Sequence, residues 1–201
     1  MLHYAIDHGV NYVDTAYNYH RDASEAFTGR ALQGGYREKV KVATKSPVWL
    51  VEKPEDWERL FDEQLERLQM DRIDFYLFHG LNKDRWSKLS EFRAFDWAER
   101  ALADGRIGYL GFSFHDSFEV FKEIIDGSDL WSFCQIQLNF MDEENQAGIK
   151  GLRYAAGKGL GVIVMEPIRG GQLARRPPQV IMDLWATALQ KRRPADWALQ
   201  W

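Results

Sequence analysis

The sequence predicts an α/β barrel of parallel strands that is incomplete, with about six of the usual eight strands present and the first and last missing. Three observations lead there. Six short β-branched or aromatic runs, residues 11–15, 40–45, 73–79, 107–113, 133–139 and 161–166, alternate with longer segments of helical period. Strict alternation of this kind implies parallel pairing through right-handed crossovers. A polar residue closes run after run, namely Asp14, Lys45, His79, Ser113, Asn139 and Glu166, and barrel active sites are assembled at that end of the strands. Finally, no G-x-G-x-x-G follows the first run, as an open dinucleotide-binding sheet would require. A closed barrel needs about 250 residues and this chain has 201. The expectation is therefore a barrel with two unpaired edges, in a single domain spanning residues 1–201.

Taken in order, the chain opens on a helical segment over residues 2–8, ahead of the first strand. After Pro54, the residues Trp57, Leu60, Phe61, Leu65 and Leu68 fall at helical spacing, so one face is apolar and Glu, Asp and Arg cover the other. Pro54 suits the first turn, where its missing N–H costs nothing. Asp104-Gly105 stops the next helix. The segment after Asp116 repeats the pattern through Phe118, Phe121, Ile124 and Ile125, with Asp116 or Ser117 as N-cap and Asp126-Gly127 as the stop. The chain finishes in or just past another helix.

Composition narrows the function classes. A chain that is 45% hydrophobic is no disordered polymer, and a net charge of -4 argues against a dedicated nucleic-acid binder. Cys134 is the single thiol, so it can form no internal disulfide and cannot by itself hold a zinc or iron–sulfur site. The longest apolar run, residues 161–165, is too short for a bilayer. The N-terminus lacks the basic start and apolar block of a signal peptide. A soluble, cytoplasmic protein follows, with no membrane or nucleic-acid partner; its oligomeric state is open, although exposed barrel edges favour association. His3, His8, His20 and His115 lack metal-ligand spacing, so no metal is expected, while His20 and His115 flank the presumed mouth. The eight Trp read as barrel-to-helix packing.

The two-residue period of a strand puts Ile73, Phe75, Leu77 and His79 on one face. The three apolar members mark that face as the lumen, which leaves His79 at its upper rim. Lys41, Ala43 and Lys45 likewise share a face, which puts Lys45 on the same rim unless the strand takes the alternate register. A buried Lys needs a carboxylate partner or loses its charge, and Asp14, at the end of the preceding strand, is the candidate. Tyr19 stands in the loop after it. A phenol alone is too weak an acid near neutrality. A neighbouring ammonium stabilises the phenolate, a carboxylate keeps that ammonium oriented, and a His can hydrogen-bond a carbonyl oxygen. Together Asp14, Tyr19, Lys45 and His79 suit reduction of a C=O group, with hydride from a cofactor and a proton from Tyr19. Each residue alone is more often structural; the conjunction carries the reading. Phe133, Gln135, Gln137 and Asn139 form a further inward series whose amides need partners, either a cofactor amide or a water-filled polar plug.

The stretches GVNYVDTAYNYH, SEAFTGRAL, REKVKVATK, RIDFYLFH, DGRIGYLGFS and CQIQLNF together resemble the aldo-keto reductase family, in that family's order and across nearly the whole chain. The resemblance implies a barrel of aldo-keto reductase type that binds NADPH without a Rossmann fold and reduces small-molecule aldehydes or ketones to alcohols. It implies a catalytic tetrad of Asp14, Tyr19, Lys45 and His79, and a nicotinamide carboxamide held by Ser113 and Gln135. Met165 stands where many members stack a Tyr on the nicotinamide ring, and Gly170 and Gly171 lie where the pyrophosphate passes. Phe114 replaces an Asn that many members carry. The family's basic residues for the adenosine 2′-phosphate fall beyond Trp201, so the residues themselves leave NADH open. The stretches DTAYNYH, MDEENQAG and VMEPIRGG look most like a microbial branch in which a ferredoxin-like iron–sulfur segment often follows the barrel; no such cluster is expected within this chain. Three alternatives compete. They are a non-catalytic cofactor-binding module, an inactive barrel fragment, and a metal-dependent hydrolase or isomerase built on His79, Asp14 and Glu166.

Overall fold

Each of the six runs becomes a strand in the computed structural model, which describes residues 1–201. The strands are β1 (Tyr12–Asp14), β2 (Lys41–Ser46), β3 (Ile73–Leu81), β4 (Ile107–Phe114), β5 (Phe133–Gln137) and β6 (Gly161–Met165). They form one parallel sheet in sequence order, with β1 and β6 at its edges. The sheet is strongly curled. Asp14 on β1 and Gln135 on β5 are four strands apart, which in a flat sheet is about 19 Å, yet their side chains hydrogen-bond at 3.0 Å. The result is an open arc of an (α/β) barrel, as the alternation predicts.

Curling separates two packing layers. The lumen holds a small cluster of Ala43, Leu77 and Phe133, with Tyr12, Phe75 and Ile163 against it. Phe75 meets Tyr12 and Phe133 edge-on at 5.3 and 5.2 Å. The opposite strand faces send Tyr76, Phe78, Phe112, Phe114 and Cys134 into a much larger outer cluster shared with the helices. Ile73 departs from the expected lumen face. At the bottom of β3 it is registered beside Ile107, and both pack in the outer layer.

The helices are α1 (Leu2–Asp7), α2 (Ser24–Ala31), α3 (Asp56–Leu68), α4 (Lys83–Glu91), α5 (Ala94–Ala103), α6 (Phe118–Asp126), α7 (Gly148–Gly157), α8 (Gln179–Ala186) and α9 (Pro194–Gln200). Trp57 of α3 and Trp97 of α5 bury against Phe78, Phe61 and Tyr76, which is the packing the Trp content predicts. Trp49 lies instead at the site described below, Trp185 and Trp197 stack on each other outside the main cluster, and Trp201 is exposed. No helix is long and apolar enough to cross a membrane.

Helix ends follow the sequence signals with two adjustments. Ser117 caps α6 by accepting from the Val120 N–H, while Asp116 instead accepts from the Ser117 and Lys83 N–H groups. Pro54 lies ahead of α3 rather than in its first turn. The Asp56 carboxylate accepts from the Glu52 and Lys53 N–H groups, so it is Asp56 that fixes the approach. At Gly127 the backbone is ordinary helical, and its smallness is what matters, because an added Cβ would stand 2.3 Å from the Trp86 ring.

Candidate active site

Lys45 lies at the top of β2 with its side chain wholly enclosed. Its Nζ donates to Asp14 Oδ1 at 2.6 Å and to the Thr15 carbonyl at 2.8 Å, and sits 4.7 Å from the centre of the Tyr19 ring. Charge-assisted bonds of this kind are what allow a buried ammonium to keep its charge. The strand is held from behind. Thr44 alternates outward and donates to the buried Glu25 carboxyl, and the Gln64 amide donates both to Glu25 at 2.6 Å and to the Lys45 carbonyl at 3.0 Å. Tyr76 closes the set by donating to Gln64 Oε1 at 2.7 Å. Burial pushes the Glu25 carboxyl above its ordinary pKa, against the pull of Thr44, Gln64 and Arg67. Sequence reasoning missed this brace. Its signal was present: Gln64 is a polar residue on the apolar face of α3 that Trp57, Leu60, Phe61 and Leu68 define.

Tyr19 is carried by the turn after β1. The three residues that follow, His20, Arg21 and Asp22, have φ of 51, 55 and 65°. For non-glycine residues the left-handed region costs about 1–2 kcal/mol each. The turn is tied back by the Ser24 N–H to the Tyr19 carbonyl at 3.2 Å and by Thr15 Oγ1 to Ser24 Oγ at 2.8 Å. It brings the Tyr19 ring edge-on to His79, with centres 5.8 Å apart.

His79 owes its aim to a bulge. The β3–β4 register shifts between Phe78 and Leu81, and Gly80 there has φ +61°, a backbone state open to glycine. The His79 ring lies 5.3 Å from Trp49, and its Nδ1 is buried without a partner. Burial, and after it the charges of Lys45, Arg85 and His115, hold its pKa down to about 3. The ring is neutral at neutral pH, with one N–H donor and one acceptor.

The residues expected to meet a cofactor lie on the adjoining strands. Ser113 and Gln135 are registered side by side on β4 and β5. Ser113 Oγ accepts from the Gly80 N–H at 2.7 Å, so its own proton is free to be donated. Gln135 Nε2 donates to Asp14 Oδ2 at 3.0 Å, and its Oε1 is buried with no partner. One available donor beside one orphaned acceptor fits a primary carboxamide, which offers both complements. Asp14 therefore links Lys45 to Gln135. Met165 closes β6, half-buried, and Gly170 and Gly171 follow in a left-handed turn with φ of 59 and 89°.

One expectation changes. Asn139 lies past the end of β5 and is occupied by its own loop: Nδ2 donates to Asp142 and to the Glu166 carbonyl, and Oδ1 accepts from the Met141 and Asp142 N–H groups. It braces the loop and is not an open amide. Phe114 points into the outer layer against Phe121 and offers the site no polar group. No three His, Cys, Asp or Glu side chains are placed to hold a metal ion. Cys134 is buried in the outer layer, where burial pushes its thiol up to about 12. A wide groove lies on the outer face between α3 and α5, but apart from Pro54 and Trp97 its lining is charged, and Arg106 there pairs with both Glu58 and Asp62.

A sequence profile of the Aldo/keto reductase family matches residues 1–198, and the chain belongs to that family. It is similar to the glyoxal reductase of Bacillus subtilis (strain 168), with 28% identity over 172 residues that cover 84% of this chain and 57% of that protein. Its structure is similar to the holo form of aldo-keto reductase AKR11C1 from Bacillus halodurans, at a TM-score of 0.73 and 25% identity, covering 99% of this chain and 69% of that one. It is similar also to an aldo/keto reductase from Klebsiella pneumoniae in complex with NADP and acetate, at a TM-score of 0.69 and 25% identity, covering 89% and 62%. The chain spans a little over half the length of the curated relatives it matches.

Proposed function

We propose that this chain carries the catalytic centre of an NAD(P)H-dependent oxidoreductase that reduces aldehydes or ketones to alcohols, with Tyr19 as the proton donor. Beside family membership, one observation carries the reading: an enclosed Lys45 ammonium held between the Asp14 carboxylate and the Tyr19 ring. Asp14 and the Thr15 carbonyl hold that ammonium against the phenol ring. As the Tyr19 proton passes to the carbonyl oxygen, the adjacent cation stabilises the negative charge left on the phenol oxygen. Neutral His79 donates its N–H to the same carbonyl oxygen and fixes its direction. Ser113 and Gln135 hold the nicotinamide carboxamide, Met165 touches the ring through its polarizable thioether, and the Gly170–Gly171 turn receives the pyrophosphate. The chemistry that the dinucleotide supplies when bound is the hydride. NADPH is preferred over NADH on the ground that the Klebsiella pneumoniae relative is solved with NADP. Residues 1–201 act as one domain, because strands from both edges share a single lumen cluster.

The test is nicotinamide fluorescence with the purified chain, followed by carbonyl-dependent oxidation of NADPH. Oxidation is expected to fall by about 10²–10⁴-fold in Tyr19→Phe with NADPH binding kept, the range for loss of a general acid. A folded chain that binds no NADPH would sink the reading. A cofactor-binding module without turnover is the second reading, favoured by Phe114, an apolar side chain packed in the outer layer where many members of the family carry an Asn. It predicts NADPH binding with no oxidation in either protein.

A further inference from the structure

Arg85 is half-buried beside the site and has no ion-pair partner; of the other half-buried arginines, Arg192 also has none and donates instead to Gln190 in the C-terminal segment. Arg37, Arg67 and Arg106 each face a carboxylate, but none of the ion pairs in the molecule includes Arg85. Asn82 caps α4 by accepting the Arg85 N–H at 2.9 Å, which places this side chain over the end of β3. There Nη1 donates to the Gly80 carbonyl at 2.8 Å and to the His79 carbonyl at 3.4 Å, across the bulge that aims His79. The guanidinium carbon lies 5.2 Å from the centre of Trp49, whose ring is 5.3 Å from His79. Nε and Nη2 have no partner in the protein. One edge of the fork is thus anchored to the backbone, and the rest is left for something else at the mouth of the site.

We propose that Arg85 sets substrate choice: its unoccupied N–H groups receive a carboxylate carried by the aldehyde or ketone whose carbonyl meets Tyr19 and His79. The carbonyl half of this statement rests on the proposed reductase function; the carboxylate half rests on Arg85 itself. A guanidinium matches a carboxylate through paired N–H···O bonds. Because Arg85 is already anchored, less side-chain freedom is lost when the anion arrives. The Trp49 face, flanked by His79 and Arg85, supplies an apolar wall for the body of the substrate. A neutral substrate of the same shape leaves the cation unpaired, so discrimination follows charge rather than size.

The experiment compares 4-carboxybenzaldehyde with its methyl ester, which keeps the ring and the aldehyde and removes the charge. Isothermal titration of the purified chain is run with and without NADP+, which cannot reduce the aldehyde. The acid is expected to bind at least about tenfold more tightly than the ester, the lower range for a hydrogen bond to a charged group. In Arg85→Met the two should bind alike. Arg85→Lys, which keeps the charge and a bond to the strand end, should lie between them and guards against a Met variant that fails to fold. Equal affinities in the unaltered chain, a preference that survives in Arg85→Met, or a folded chain that binds neither compound would each overturn the proposal. The two readings fail separately. Tyr19-dependent reduction of the ester with no advantage for the acid leaves the reductase standing and removes Arg85 from substrate choice. Arg85-dependent binding of the acid without NADPH binding does the reverse.

Discussion

Enclosure of His79 beside Lys45, Arg85 and His115 makes the neutral ring its stable form in the fold, and this has a consequence for stability. The folded pKa of about 3 lies below the unfolded value near 6.5. Between those values the unfolded chain binds a proton that the folded chain refuses, so stability present above pH 6.5 is lost as the pH falls toward 3. The slope from this residue is at most about 1.4 kcal/mol per pH unit. Urea unfolding across that window should be less steep in pH for His79→Gln, and the His79 ring signals should show no titration by NMR between pH 5 and 8. Lys45 offers a second test at this scale. Lys45→Met takes the Lys45 donor from the Thr15 carbonyl and leaves Asp14 with Gln135 as its donor, an expected cost of about 1–3 kcal/mol, below that of a fully buried pair because the Asp14 side chain is 29% exposed. The double variant Asp14→Asn with Lys45→Met should recover part of that loss in denaturant melts.

Elements meet through close approaches that single atoms can break. Helix α2 crosses α3 at Gly29, where an added Cβ would stand 2.4 Å from the Leu68 carbonyl oxygen and 2.8 Å from that of Arg67. Backbone cannot yield as a side chain does. Gly29→Ala should therefore cost about 1–3 kcal/mol despite the better helix propensity of Ala, measured as a lower midpoint in urea. The turn after Tyr19 presents the opposite case. Arg21 is exposed and held at φ 55°, so Arg21→Gly should relieve about 1 kcal/mol of backbone strain and raise the melting temperature. An unchanged or lowered temperature would show that the turn draws more from the Arg21 side chain than from its backbone.

Across the whole molecule, stability should be graded from the middle of the sheet to its rims. β3 and β4 are paired on both sides and almost wholly buried, whereas β6 is an edge strand whose residues are exposed or half-buried and β1 is a three-residue edge. Hydrogen exchange should reach β1 and β6 first and β3 and β4 last. Uniform protection across the sheet would mean that the two edges are covered in solution. The curl that brings the edges toward one another also assembles the site, since Asp14 on β1 and Gln135 on β5 meet only because the sheet bends. Gln135→Leu should therefore weaken NADPH binding and stability together, in fluorescence titration and urea unfolding of the same protein.

All six strands, the alternation with helices and the polar rim were legible in the residues, because strand and helix periods are short-range properties that few neighbours decide. Lys45 and His79 were legible for the same reason, since each stands near the top of a strand whose inward face its neighbours declare, and Asp14 followed as the carboxylate that a buried Lys needs. The resemblance carried Ser113, Gln135 and Met165, while Phe114 and Pro54 show where local signals stop short of a partner's position. Only the tertiary structure decided that Gln135 reaches Asp14 across 121 residues of chain, that Asn139 serves its own loop, and that the bulge at Gly80 turns His79 toward Tyr19 and leaves Arg85 with unoccupied donors. Such facts depend on how far the sheet bends and which side chain reaches a polar atom first. Those outcomes are settled by the packing of distant segments, and no local period in the sequence records them.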